Sequence, residues 1–141
     1  MFVALCMAGA MAGLSSCKTA QSAASSIEAL EGEWKITTVE GQSVTPKAGE
    51  AEAFLGFDVK ENRVYGNSGC NRLTGALQAD AKKGTISFGQ TGSTRMMCAD
   101  METEQKVLTA IGKVTGYEIT KDGKMNLKAE DGKVVMTLEK K

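Results

Sequence analysis

Histidine is absent from the sequence, and with it the side chain that most often serves as general base, proton shuttle or zinc ligand near neutral pH. Charge of one sign is missing too: 17 Lys and Arg balance 17 Asp and Glu, and the signs are interspersed, so no basic face points to nucleic acid or to anionic lipid. No apolar stretch reaches the roughly 20 residues of a membrane-spanning helix. The longest, Phe2 to Leu14, carries no charge and has the length of the apolar segment of an export leader. No fixed-period repeat is present, no CxxC pair occurs, and no Gly-Lys-Ser/Thr follows the glycine-rich stretches. A chain of 141 residues with these gaps holds one modest domain.

What is present starts with an address. The opening "MFVALCMAGAMAGLSSC" reads as a leader, not an anchor helix. Its end, "LSSC" (Leu14 to Cys17), resembles a bacterial lipobox, in which the cysteine is lipidated and becomes the first residue of the mature protein. No Lys or Arg precedes the apolar run, which leaves room for a start upstream of Met1. Two or three acyl chains on Cys17 suffice for stable membrane attachment, where one is marginal. Lys18, a residue other than Asp after that cysteine, favours the outer over the inner membrane by resemblance to lipoprotein sorting. "KTAQSAASSIEAL" is small and polar and reads as a flexible tether. The expected division is residues 1–16 signal peptide, 17–29 lipidated tether and 30–141 folded domain.

From Glu33 onward the pattern is of short strands and one helix. "EWKITTVEG" alternates Trp34, Ile36 and Thr38 against Lys35, Thr37 and Glu40, with Val39 breaking the pattern. "AFLGFDV" and "RVYGNSG" make a hairpin across "KEN", and "RLTGALQAD" and "GTISFG" are further strands flanking a turn from Asp80 to Gly84. Met101 to Val114 sets Val107, Leu108, Ile111 and Val114 on one helical stripe. Asp100 is its expected N-cap, Glu102 and Glu104 occupy its first turn, and Gly116 is placed to end it. "GYEIT", "KMNLKAE" and "KVVMTLEK", joined through Asp-Gly turns, form a terminal meander in which Met125, Leu127 and Ala129 share a layer with Val134, Met136 and Leu138. The fold class is α+β: a small antiparallel sheet, strongly curled or barrel-like, with one amphipathic helix.

Of four cysteines, Cys6 leaves with the leader and Cys17 is the lipid site, so Cys70 and Cys98 remain. An exported chain with two remaining cysteines invites one disulfide, which for a loop of about 28 residues stabilises by roughly 3 to 4 kcal/mol. Two other chemistries stay open. Met96, Met97 and Met101 could join Cys70 and Cys98 as soft ligands for Cu(I). Alternatively, Arg95 and the adjacent helix start could lower the Cys98 thiol pKa. Against both, there is no histidine to pair with a thiol, and methionines beside an apolar helix more often fill core gaps. "GNSGCNRLTG" (Gly66 to Gly75) leads into a strand, not a helix, so it reads as a bend in which Gly69 takes a glycine-only conformation and Asn71 bonds local backbone. Asp58, Asp80 and Asp100 are scattered and each suits a turn or cap. These residues assign no catalytic group, no metal site and no cofactor.

"GCNRLTG", "ISFGQTGSTRMMC" and "ETEQKVLTAIGKVTGYEIT", followed by two short strands, resemble the META domain family, including the HslJ-like heat-shock lipoproteins, from about Trp34 to the C-terminus. The segment around Leu77 departs from that pattern in lacking an aromatic residue. The resemblance implies a barrel-like α+β domain, a disulfide between Cys70 and Cys98, and an envelope or secreted protein without an assigned enzymatic activity, in a family linked to heat shock, antibiotic tolerance or motility. "GEW" (Gly32 to Trp34) is similar to the Gly-x-Trp opening of lipocalins, and so implies as a rival a carrier of a small apolar ligand. The leading expectation is a monomeric, non-catalytic envelope module anchored to the membrane through Cys17. It would bind an envelope protein or an apolar ligand, the latter in a groove lined by Phe54, Phe57, Leu77, Phe88 and Leu108, unless those residues form a dry core. The alternative is a redox-active or Cu(I)-handling protein using Cys70 and Cys98.

Overall fold

The structure is a computed structural model that describes residues 26–141. The leader, Cys17 and the tether up to residue 25 lie outside the described residues. The described residues begin with a short 3-10 helix, Ile27–Leu30, whose entry is capped by Ser26 accepting from the Glu28 N–H at 3.2 Å. Leu30 is fully buried, and Ile27 and Ala29, within the stretch read as tether, pack against the core.

Eleven strands follow: β1 (Gly32–Val39), β2 (Gln42–Ser43), β3 (Phe54–Asp58), β4 (Arg63–Asn67), β5 (Arg72–Ala76), β6 (Gln78–Asp80), β7 (Thr85–Ser87), β8 (Gly92–Ser93), then after helix α1 (Glu102–Ile111), β9 (Gly116–Ile119), β10 (Lys124–Lys128) and β11 (Val134–Lys140). All pairings are antiparallel, in the order β6-β7-β9-β10-β11-β1-β3-β4-β5-β8, with β2 added to β1. Only Leu77 separates β5 near one end of that ladder from β6 at the other, so the chain itself bridges the two ends and the sheet curls into a half-barrel. The fold class is therefore as expected, an α+β domain with a strongly curled antiparallel sheet.

Two bulges decide which side chains face inward. In β1 the register against β11 shifts between Ile36 and Thr38, so Trp34, Ile36 and then Val39 are buried, while Thr38 is not. The irregular position of Val39 in the sequence is this bulge, since one extra residue flips every later side chain. A second shift, between Leu127 and Lys128, corrects the expected layer: Met125, Leu127, Met136 and Leu138 are fully buried as expected, but Val135 replaces Val134, which is exposed.

The helix is shorter than the sequence stripe. It runs Glu102–Ile111, Gly112 ends it, and Gly116 instead opens β9. Met101 occupies the cap position, but the Asp100 carboxylate still accepts the Glu102 N–H at 2.8 Å. Val107, Ala110 and Ile111 insert into the core, and Val114, beyond the helix, remains buried.

The register places two structures at opposite ends of the curled sheet. The β3–β4 turn and the 3-10 helix lie at one end, where the Trp34 Nε1–H donates to Leu30 O at 2.8 Å and Lys140 lies 4.5 Å over the Trp34 ring and donates to Glu31 O. The β4–β5 bend and the start of α1 lie at the other.

Candidate functional site

The five residues expected to line a groove are not brought to one open surface. Phe57, Leu77 and Phe88 are buried in the core, with the Phe57 and Phe88 rings 6.1 Å apart. Leu108 only flanks that core. Phe54 sits on the outer face of β3, edge-on to Tyr65 at 6.4 Å and under the Lys141 ammonium at 4.5 Å, because strand residues alternate faces and Leu55 and Phe57 take the inner one. The cavity bounded by Leu55, Val64, Leu73, Phe88, Thr91 and Ile111 measures about 10 Å³, no more than about one water. These side chains form a dry core there.

The sequence motifs meet instead at the end where α1 begins. Three polar side chains are buried among the described residues, Ser68, Asn71 and Glu104, and all three belong to one network. The β4–β5 bend is shaped by Gly69 at φ +113°, a conformation that favours glycine, and by the Asn67 Oδ1 accepting the Gly69 N–H at 2.7 Å. A Cβ on Gly69 would also stand 3.1 Å from Thr103 Cγ2, so the bend lies against the helix start.

Asn71 then uses its whole side-chain amide. Its Oδ1 accepts from the Met96 N–H at 2.6 Å and from the Thr94 hydroxyl at 2.9 Å, and its Nδ2 donates to Met96 O at 3.1 Å and to Glu104 Oε2 at 2.8 Å. Bonding both the N–H and the C=O of one residue is what a neighbouring strand does. The Asn71 side chain thus stands in for one peptide unit and extends the β5–β8 pairing, which reaches it through the Thr94 N–H donating to Arg72 O at 3.1 Å.

Glu104 closes the network from the helix. Its Oε1 accepts from the Ser68 hydroxyl at 2.6 Å and the Asn71 N–H at 2.8 Å, beside the Asn71 Nδ2 bond to Oε2. Burial works to raise the Glu104 pKa, but the bonds from Ser68 and from the Asn71 side chain and backbone together outweigh it, and the carboxyl stays below the ordinary glutamate range. The side chain is thus held as a carboxylate that is wholly engaged within the domain.

Glu104 and Ser68 were not singled out in the sequence. The available signal was position: Glu104 lies three residues before Val107 and seven before Ile111, on the buried stripe of α1, where an unpartnered carboxylate would be costly. Reading it only as a first-turn acid missed that it faces inward.

Cys70 and Cys98 adjoin this network. Their sulfurs are within bonding distance and their Cα atoms 6.0 Å apart. A depression of about 390 Å³ beside them is lined by Gly69, Cys70, Cys98 and Asp100 and by the 47–51 loop, which is held across by the Lys47–Asp100 ion pair. That contact and the Glu102 N–H hold the Asp100 carboxyl below its usual range. Met96 and Met97 point outward, Met97 being 87% exposed, while Met101 Sδ accepts the Cys98 N–H at 3.5 Å. Among the described residues, no three Cys, Asp or Glu side chains cluster as a metal site, and no helix is long and apolar enough to cross a membrane.

Solved structures share this architecture. An NMR structure of a protein from Burkholderia xenovorans, 26% identical, aligns with a TM-score of 0.58 over 79% of this chain and 83% of that one. A crystal structure of a DUF4847 family protein from Bacteroides vulgatus ATCC 8482, 14% identical, aligns with a TM-score of 0.56 over 82% and 98%, a likeness of fold alone. No curated protein matches the chain. The META domain profile matches residues 26–141, from the 3-10 helix to the last residue and across both motifs that build the buried network, and the chain belongs to the META domain family.

Proposed function

We propose that this META domain is a non-catalytic binding or structural module of the cell envelope, lipid-anchored through Cys17 at the outer membrane and supporting envelope integrity under stress. The observation that carries the non-catalytic part is the use of the polar motif side chains: Ser68, Asn71 and Glu104 bond one another and Met96, so none of the three is turned to solvent as an acid or base. The "LSSC" motif supports the anchor. The described residues begin at the 3-10 helix, opposite the end that carries α1 and the Cys70–Cys98 pair, which supports a reading in which the α1 end is turned away from the membrane, toward a protein partner.

The test is metabolic labelling with a radioactive fatty acid, together with membrane fractionation, of the wild type and Cys17→Ser. Label and membrane association are expected in the first and absent in the second. Equal label in both, or a soluble wild type, would end the anchoring part of the proposal. Native mass spectrometry of the protein isolated from the envelope separates a protein partner from a small apolar ligand, which the filled core does not favour.

A further inference from the structure

We propose that the Cys70–Cys98 disulfide is a locally opening redox site, attacked by small thiols at Cys98, and that its opening frees the Met97–Asp100 segment while the rest of the domain stays folded. Attack on a disulfide requires the nucleophile to approach along the S–S axis from behind the sulfur it bonds, so access decides which sulfur is attacked. Cys70 is 5% exposed, whereas Cys98, on the outer segment, is half-buried. Both border a depression of about 390 Å³, large enough for a low-molecular-weight thiol. In the step, the incoming thiolate forms a new S–S bond to Cys98 Sγ, the Cys98–Cys70 bond breaks, and its electron pair leaves on Cys70 Sγ, which then takes a proton from water. The β4–β5 bend keeps Cys70 beside the mixed disulfide on Cys98, placed for the reverse attack, so the site recloses when the external thiol is removed.

The local character follows from redundancy. The disulfide joins the β4–β5 bend to the segment before α1, and the buried network joins the same parts independently: Asn71 holds both the N–H and C=O of Met96, and Glu104 holds the helix to Ser68 and Asn71. Breaking the S–S bond therefore releases only what lies between Met96 and the helix. That stretch includes Met97, 87% exposed, and Asp100, the partner of Lys47 in the loop over the depression. Opening would change the surface at the end of the domain opposite the 3-10 helix.

The probe is sulfite, which cleaves a disulfide to an S-sulfonate on the attacked cysteine and a thiolate on the other. The folded protein is exposed briefly at neutral pH, quenched in acid, desalted, alkylated with N-ethylmaleimide and mapped by mass spectrometry. S-sulfonate on Cys98 and maleimide on Cys70 are expected in at least tenfold excess over the reverse. An even distribution, the reverse preference, or no reaction without denaturant would overturn the assignment. In parallel, hydrogen exchange of the protein reduced by a water-soluble phosphine should gain rate only across residues 97–101. Loss of protection throughout β3, β4 and β5 would show that the disulfide is a global staple and would overturn the local opening.

Discussion

At the level of single residues, Glu104 carries the most consequence. Three donors converge on its two oxygens, and two of them, the Asn71 backbone N–H and the Asn71 Nδ2, cannot reverse: the first is a fixed donor and the second is held by Met96. Glu104→Gln keeps the shape but sets an NH₂ against one of these donors whichever way the amide turns. A loss of about 1–3 kcal/mol is expected, read from urea unfolding at pH 7. The pH dependence has a definite sign. Because the folded Glu104 pKa lies below its unfolded value of about 4.3, the stabilisation is complete above that value and is lost as pH falls through the lower, folded one. The gap between wild type and Glu104→Gln should therefore narrow in acid, and a gap independent of pH would show that the carboxylate's charge has no part in the network. The sequence did not disclose this residue because a charged side chain on the apolar stripe looks the same whether it is exposed at a helix end or buried among donors on other elements. The Asn71 and Ser68 partners lie 33 and 36 positions away in the chain, and only the fold brings them together.

At the level of elements, close strand approach sets a finer constraint than the alternation that announces the strands. A Cβ on Gly66 would sit 2.1 Å from the Phe54 carbonyl oxygen in the neighbouring strand, and only a shift of β3 against β4 relieves that. One on Gly56 would meet the Tyr65 ring at 2.2 Å, but that is the far end of a half-buried side chain that can swing away. Gly66→Ala should cost about 1–3 kcal/mol, and Gly56→Ala clearly less, in parallel denaturation curves. An equal cost would mean that Tyr65 is as fixed as backbone. Alternation made β1, β3, β4, β9, β10 and β11 legible, and the apolar stripe gave the helix. What escaped has physical causes: β2 and β8 are two exposed residues each and carry no pattern, and a bulge is silent in sequence except as an out-of-phase residue such as Val39. The five-residue groove failed as a surface because apolar residues gathered from different strands identify a core, not whether it has an opening.

At the level of the whole molecule, the half-barrel is tied at the α1 end by two independent devices, the disulfide and the Asn71–Glu104 network, acting on the same bend and helix start. Replacing Cys70 and Cys98 together by Ser releases a link spanning 28 residues, worth roughly 3 to 4 kcal/mol in the chain-entropy model. A domain of ordinary stability, about 5–15 kcal/mol, survives that loss. The serine variant should fold with an unchanged denaturant slope and a lower midpoint. Because either device alone still holds the bend to the helix, the two are not additive. Combining the serine pair with Glu104→Gln should cost more than the sum of the separate losses, by at least about 0.5 kcal/mol, since only then are both links between the α1 end and the β4–β5 bend weakened at once. Strict additivity in that cycle would mean that the disulfide and the network stabilise separate parts of the domain. The redundancy that lets the disulfide open without unfolding the sheet would then be absent as well.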